Sequence, residues 1–419
     1  MPRVDYKNKD RTGGKEVGKE RSSNLELLRV LCILFIVADH ATGQTGIFRT
    51  TDGLGLTFCY TTLLSLSKVA CSVFVIISSW FLSQMEFRLK KVLHVWLTVF
   101  MYTMPVLVFL HYKGLVSKWD LRLAFFPMEE GPLWFANHYM ALLLIMPLLN
   151  TVLHKTTKNV LAYFLGFMFI LSSVYPTLTL SSGFFGSEFW AMILLYLLTG
   201  YIRKYKDALP SSKKSFLVFG LVWFLLVVAR TLSTVYFEKA PYVCRHIQTF
   251  CEIFRIRMQS IPNLVLAYSL FFGFKGLNIK HSKFINTLAS TTLGVYVYHQ
   301  IPIFFGLVWT KIYRADHYSQ TLEGYKRIVY VLCVVFLVWI IGVILELIRN
   351  KVSFFLIESR DFYNNYCNKI DAFVNDTTGE VKLDRKLIIG TVIVISIYMV
   401  ATYLYFREAT LHNVFGSFF

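Results

Sequence analysis

RVLCILFIVADHATG (Arg29–Gly43) is an apolar stretch that begins with an arginine and carries Asp39 and His40 near its end. The apolar middle predicts a membrane-spanning helix, and ionisable side chains are costly at membrane depth. Arg29 and His40 are separated by 11 positions. They therefore share one helix face, about 16 Å apart along the axis, whereas Asp39 lies about 100° away from His40. We take this pair as the starting point for function.

The composition of the 419-residue chain is that of a membrane protein. Hydrophobic residues make up 55% of the chain and charged residues only 16%. A soluble domain of this length carries more charge and does not repeat apolar runs of about 20 residues. The formal net charge of +18 fits cytoplasmic loops and anionic lipid. We therefore expect membrane lipid as a partner and no nucleic acid.

The apolar runs predict an all-α, polytopic bundle of eleven helices. The predicted spans are residues 25–42, 62–84, 92–112, 133–153, 160–178, 184–202, 215–236, 260–274, 287–310, 328–348 and 387–406.

The distribution of lysine and arginine predicts the orientation. With the N-terminus inside, the segments on the inner side hold 27 of these residues and the outer segments hold 13. Positive charge is enriched on the cytoplasmic side of membrane proteins. We therefore expect a cytoplasmic N-terminus and a multi-pass protein of the cell membrane.

The remaining segments complete the expected organisation. Residues 1–23 predict a disordered cytoplasmic tail, 24–350 one membrane domain, 351–385 a polar cytoplasmic linker, and 386–419 an extra transmembrane helix with a short extracellular tail. The seven cysteines form no C-x-x-C pair, so we expect no metal site. Cys244 and Cys251 share one loop and would pair only if it faces an oxidising side.

Arg29 and His40 suggest a helix with one function at each end. A histidine with a pKa near neutrality accepts a proton from a hydroxyl and returns it later. An arginine near the cytoplasmic surface binds phosphate through its planar guanidinium. The alternative is an arginine that extends to the interface and a histidine satisfied by a neighbouring helix. Glu26, three residues before Arg29, is a candidate ion-pair partner.

Several stretches resemble the membrane acyltransferase-3 family, in the family's order, over about residues 22–350. SSNLELLRVLCILFIVADH is similar to the first helix, which carries an arginine, ten residues and a histidine. SKVACSVFVIISSWFLSQ is similar to the second, although Ser79 replaces the usual glycine and Trp80 the usual tyrosine or phenylalanine. EFRLKK, GPLWFANHYMALLLIMPLLN, LLYLLTGYIRKY and ASTTLGVYVYHQ also match family patterns.

The resemblance implies a ten-helix core, to which the span at 387–406 would be an addition. It further implies O-acylation of a hydroxyl on an extracytoplasmic or lipid-linked glycan, with acyl-CoA, expected to be acetyl-CoA, as cytoplasmic co-substrate. No bound cofactor is expected.

Site residues follow from the same resemblance. We expect Arg29, Arg88 and Lys90, helped by Lys91, to hold the acyl-CoA phosphates. His40 would act as general base or first accept the acyl group itself. The alternative for Arg88 and Lys90 is charge that only sets the topology.

Other residues are candidates for the acceptor side. We assign four residues there: Glu188, Tyr296, His299 and Trp134. The alternative for Glu188 is a carboxylate at the membrane interface, and for Trp134 it is anchoring at that interface. For Tyr296 and His299 the alternative is a packing or hydrogen-bonding role. Lys68 is assigned a structural role. Two further hypotheses remain: a non-catalytic glycan exporter or flippase of the same fold, and a protein that only binds or senses acyl-CoA.

Overall fold

The computed structural model consists of helices and their connections throughout the part of the chain that it describes. These residues are 22–47, 53–118, 120–125, 131–179, 186–206, 208–237, 257–376, 378–379, 385, 389–393, 396–397 and 399–400.

Seventeen α-helices are numbered here in chain order, within these described ranges. They are α1 Ser23–Gln44, α2 Leu54–Leu64, α3 Ser67–Leu82, α4 Leu89–Tyr112, α5 Arg122–Phe125, α6 Trp134–Lys155, α7 Lys158–Phe169, α8 Tyr175–Thr179, α9 Glu188–Tyr205, α10 Ser212–Phe237, α11 Ile261–Lys275, α12 Lys283–Ser290, α13 Thr292–His299, α14 Phe304–Leu307, α15 Ala315–Thr321, α16 Lys326–Ser353 and α17 Asp361–Val374. One-turn π-helices follow α7, α14 and α16.

The structure supports a membrane protein but does not confirm the eleven predicted spans. Among the described residues, six helical stretches are long and apolar enough to cross a membrane: Leu54–Leu82, Leu89–Tyr112, Trp134–Lys155, Lys158–Thr179, Ser212–Tyr236 and Lys326–Glu358. The prediction at 287–310 corresponds to two segments bent by 91°, which would give a seventh span.

The other predicted spans are not confirmed as crossings. Helices α1 and α9 cover the predictions at 25–42 and 184–202, but neither is among the six. Helix α11 has only 15 residues, fewer than the roughly 20 needed to span a bilayer. Most of 387–406 lies outside the described residues. The predicted orientation and domain boundaries stay predictions.

Helix α1 lies at the centre of the described bundle. It contacts α2, α3, α11, α12, α13 and α16. Its start is fixed by Asn24, whose side-chain amide donates to the carbonyl oxygens of Phe274, Lys275 and Leu277 at 3.0–3.1 Å. These bonds satisfy carbonyls that the end of α11 leaves without a helical partner. The central position explains how α1 keeps polar groups away from lipid.

The bend after α13 has a local cause. The helix ends at His299, and the next residues are Gln300, Ile301 and Pro302. Proline lacks the N–H that a continuing helix needs. Ile303 then adopts φ 65°, a backbone conformation that is rare for a β-branched residue. The chain therefore turns sharply beside α1.

The segment predicted as a cytoplasmic linker is largely helical where it is described. Helix α16 reaches Ser353, a π-helical turn follows over Phe354–Glu358, and α17 begins at Asp361. Helix α17 packs against α4. The predictions for residues 1–21, for the Cys244 and Cys251 pair and for the tail after residue 400 lie outside the described residues.

Candidate active site

A cavity of about 290 Å³, here called the His40 cavity, lies where α1, α3, α6 and α13 meet. It contains three of the five side chains predicted for the reacting and acceptor side: His40, Trp134 and Tyr296. Its lining residues are Ile36, Asp39, His40, Ser67, Lys68, Cys71, Trp134 and Tyr296.

His40 is held by His299 from the bent segment. The Nδ1 atom of His40 lies 2.9 Å from Nε2 of His299, and His299 is fully buried. On the other side of its ring, Nδ1 of His299 lies 2.6 Å from the carbonyl oxygen of Val295. The predicted acceptor-side residue His299 therefore contacts His40 directly.

These contacts assign the protons of both rings. A carbonyl only accepts, so Nδ1 of His299 carries a proton and donates it to Val295. In the neutral ring, Nε2 of His299 is then an acceptor and His40 donates to it from Nδ1. The opposite assignment would bury a cationic His299, which is costly. His40 is therefore left with a free electron pair on Nε2.

Gln300 completes the surroundings of His40. Its carboxamide nitrogen is placed 2.9 Å from Nδ1 of His40. Oxygen and nitrogen of a carboxamide are exchanged by a simple flip. With the oxygen turned toward His40, Gln300 shares the proton of Nδ1 and supports the same tautomer.

Lys68 and Glu188 form an ion pair next to the cavity. Nζ of Lys68 lies 2.7 Å from Oε1 of Glu188, and both side chains are about one-fifth exposed. The ammonium also lies 3.9 Å from the ring centroid of Trp134. Lys68 lines the cavity, whereas Glu188 is not among its lining residues. Glu188 therefore contacts the site through Lys68.

A second cavity of about 1210 Å³, here called the basic cavity, runs along α1 and α3. On α1 it is lined by Arg29, Ile33 and Ile36, one helical turn after another, and on α3 it extends from Leu82 to Cys71. Lys90, Lys91 and Lys351 also line it. It therefore combines a cluster of cations with an apolar passage.

Three of the four basic residues predicted to bind the acyl-CoA phosphates line the basic cavity, and one does not. Arg29, Lys90 and Lys91 line the basic cavity, but Arg88 is exposed and is not among its lining residues. Arg29 pairs with Glu26 at 3.1 Å, as the three-residue spacing predicted. Nζ of Lys90 donates to Oδ1 of Asn364 at 2.5 Å.

Three residues line both cavities: Ile36, Cys71 and Tyr296. We call them the partition. Tyr296 is fixed there because its hydroxyl donates to the carbonyl oxygen of Pro132 at 2.8 Å. The two cavities are thus neighbours, and they share lining residues from α1, α3 and α13.

A protein-family model described as an acyltransferase domain matches residues 22–347. The chain belongs to the acyltransferase-3 family. Comparisons with curated proteins and with solved structures give no match. The family makes the chain an acyltransferase, and its several apolar helices agree with a membrane protein. The matched residues include all of α1, and therefore both Arg29 and His40.

The structure adds residues that the sequence did not single out for the site. Asp39, Lys68 and Cys71 line the His40 cavity, Gln300 contacts His40, and Lys351 lines the basic cavity. A signal existed for Lys68, since ionisable residues at membrane depth tend to pair with one another. Among the described residues, no group of three His, Cys, Asp or Glu side chains is placed to hold a metal ion.

Proposed function

We propose that this acyltransferase is an O-acyltransferase of the cell membrane. It would transfer an acyl group, expected to be acetyl, from cytoplasmic acyl-CoA to a hydroxyl of an extracytoplasmic or lipid-linked glycan. The observation that carries the proposal is the partition. A basic cavity and a cavity containing a histidine base meet at Ile36, Cys71 and Tyr296.

The basic cavity suits acyl-CoA in charge and shape. Arg29, Lys90, Lys91 and Lys351 supply cations for the coenzyme phosphates, and arginine binds phosphate through two parallel hydrogen bonds. The passage beyond them is lined by apolar side chains such as Ile33, Phe74 and Leu82. An acyl-pantetheine arm that follows this passage brings its thioester to the partition.

The His40 cavity suits the acceptor. Its volume of about 290 Å³ is close to the lower limit of about 300 Å³ for small-molecule sites, so it fits one sugar unit rather than a length of polymer. Asp39 and Lys68 offer a charged acceptor and a charged donor of hydrogen bonds to hydroxyl groups, and Trp134 offers an aromatic surface.

The mechanism uses the free electron pair on Nε2 of His40. The acceptor hydroxyl transfers its proton to this nitrogen as its oxygen bonds to the thioester carbonyl carbon. The C–S bond then breaks, the acyl group remains on the acceptor oxygen, and the departing thiolate takes the proton from His40. In the alternative route, in which His40 first accepts the acyl group, Nε2 bonds to the carbonyl carbon as the C–S bond breaks and the thiolate leaves. The acceptor oxygen then displaces Nε2 from this carbon, and the hydroxyl proton passes through Nε2 to the thiolate. In either route, the contact with His299 leaves this nitrogen unprotonated before the reaction begins.

An ester assay tests the proposal. Wild type, His40→Ala and His317→Ala would be expressed in a host without the activity, and ester-linked acyl groups on surface glycan released by alkali and measured. His317 is an exposed histidine on α15 and serves as the matched control. We expect esters with wild type and His317→Ala only.

Two results would contradict the proposal. Equal ester content with His40→Ala would remove the catalytic role of His40. Glycan export that depends on the chain, without any ester on the glycan, would favour the non-catalytic exporter instead.

A further inference from the structure

The wall of the basic cavity continues beyond the family match. The match ends at residue 347, yet Asn350, Lys351, Phe354, Glu358, Tyr363 and Asn364 also line the cavity. These residues belong to the end of α16, the π-helical turn after it, and the start of α17. The chain therefore adds its own wall to a cavity that the matched domain leaves incomplete.

Helix α17 is also tied to the segment that leads into α4. The backbone N–H of Leu89 donates to Oδ1 of Asp371 at 2.7 Å. Asn375, directly after α17, pairs with the backbone of Phe87 through both its oxygen and its nitrogen, at 2.9 and 3.0 Å. These bonds hold the backbone immediately before Lys90 and Lys91.

Asn364 connects this wall to the cations. Its Oδ1 accepts from Nζ of Lys90 at 2.5 Å, while its amide nitrogen donates to the carbonyl oxygens of Glu358 and Arg360 at 3.2 and 3.0 Å. The asparagine is thus oriented by the turn before α17, and it directs Lys90 toward the cavity that both residues line. Next to it, Tyr363 adds a largely buried ring to the same wall.

We propose that residues 350–364 form the nucleotide-recognition wall of the acyl-donor site. The wall would bind the nucleoside phosphate end of the donor, with Lys90 on a phosphate, Tyr363 along the base and Asn350 and Asn364 as hydrogen-bonding groups. This inference rests on the proposed function. It makes the donor an acyl thioester of a nucleotide carrier, and it makes α17 responsible for that choice.

The charge pattern favours a nucleotide over a bare pantetheine arm. A pantetheine chain carries amide and hydroxyl groups but no phosphate, so it offers no negative charge to the cations that line this cavity. The cations at this wall have no anionic partner on such a chain, but they match the phosphates of a phosphorylated nucleoside.

The test compares two donors in two variants. Initial rates would be measured for wild type, Asn364→Ala and Asn365→Ala with acetyl-CoA and with S-acetylpantetheine, which lacks the nucleotide. Asn365 is exposed on the same helix and is the matched control. We expect Asn364→Ala to raise KM for acetyl-CoA about tenfold, the usual effect of losing one hydrogen bond to a charged group. S-acetylpantetheine should show no change in any variant.

A second variant controls for misfolding of Asn364→Ala. Asn364→Asp keeps a partner for Lys90 but adds a negative charge beside the phosphates, so we expect a larger loss with acetyl-CoA and again none with S-acetylpantetheine. Equal losses with both donors, or none with either, would overturn the recognition wall.

The two proposals fail separately. If wild type transfers acetyl groups but Asn364→Ala and Asn364→Asp retain the wild-type KM for acetyl-CoA, only the recognition wall is wrong. If wild type transfers nothing, the proposed function is wrong. Calorimetry with adenosine 3′,5′-bisphosphate on the full chain then still tests the wall. Binding that is weakened about tenfold by Asn364→Ala supports it, and absence of binding to wild type overturns it.

Discussion

The two cavities along α1 differ in size, charge and the way their polar groups are held. The basic cavity is about four times larger than the His40 cavity, and its cations sit on long side chains from several helices. In the His40 cavity, the imidazole is fixed by His299 and Gln300. This difference is the one that the proposed function requires, with a large charged donor at one end of the site and a proton acceptor at the other.

The partition lies between the two cavities, and on the proposed function it is the place where the acyl group passes. Ile36, Cys71 and Tyr296 each contact both spaces. On the proposed function, an acyl group that reaches this point lies beside the His40 cavity while the rest of the donor stays in the basic cavity. Substitutions in each cavity and in the partition separate their contributions.

The largest effect is expected at His40. Replacing it by alanine should lower kcat by about 10²- to 10⁴-fold, the usual contribution of a general base. KM for acyl-CoA should change little, since the phosphates bind in the other cavity. Steady-state kinetics of the purified enzyme would show this split. A large rise in KM with unchanged kcat would mean that His40 binds the donor.

The second-largest effect is expected from a larger side chain in the partition. Cys71→Phe should reduce kcat by about 10²-fold, because displacing reacting groups by about 1 Å has effects of this size. Binding of adenosine 3′,5′-bisphosphate should persist. Cys333→Phe at an exposed position of α16 controls for the added ring. Full activity of Cys71→Phe would show that the acyl group does not pass this point.

A smaller effect is expected for the partner of His40. His299→Ala removes the acceptor for the proton on Nδ1 of His40. We expect kcat to fall about 10- to 100-fold, by analogy with residues that orient metal-binding histidines. His299→Gln, which keeps an acceptor, should recover part of the loss. If both variants are equally impaired, packing rather than the tautomer explains the role of His299.

The smallest effect is expected at Arg29. Arg29→Ala should raise KM for acyl-CoA about tenfold with kcat nearly unchanged, the effect of losing one hydrogen bond to a charged group. The change should shrink as ionic strength rises, because salt weakens the attraction between phosphate and a cation that is partly exposed, as Arg29 is. Arg88→Ala is the control, since Arg88 lies outside the lining of the cavity. An equal effect of both variants would indicate a general influence of surface charge.

Much of α1 could be predicted from local spacing alone. The 11-position separation of Arg29 and His40 placed them on one face at different depths, and each residue lines one of the two cavities. The pairing of Glu26 with Arg29 followed from the same periodicity. These features depend only on helix geometry, which the sequence reveals directly.

Contacts between distant parts of the chain could not be derived in this way. His40 and His299 are 259 positions apart, and Lys68 and Glu188 are 120 apart. Apolar helices of similar composition offer many alternative neighbours, so periodicity does not say which of them meet. The resemblance to the family indicated that His299 belongs to the site, but not that it contacts His40.

The break after α13 and the helix α17 each had a signal in the sequence, but the hydropathy pattern favoured a different prediction. Pro302 interrupts the apolar run at 287–310, and proline indicates a break rather than one continuous helix. In the polar segment after α16, Tyr363 and Cys367 recur at a spacing of four, and both are buried in α17. This spacing is typical of an amphipathic helix, although the segment was expected to be a linker.

The sharp turn after His299 determines how the imidazole ring of His40 is oriented. Consecutive residues of a regular helix point about 100° apart, so an unbroken helix would aim His299 and Gln300 in different directions. Gln300 instead adopts φ −122° and ψ 16°, and both side chains converge on the same nitrogen. Because the chain bends here instead of continuing as one straight helix, two consecutive side chains contact Nδ1 of His40 and fix the orientation of its ring.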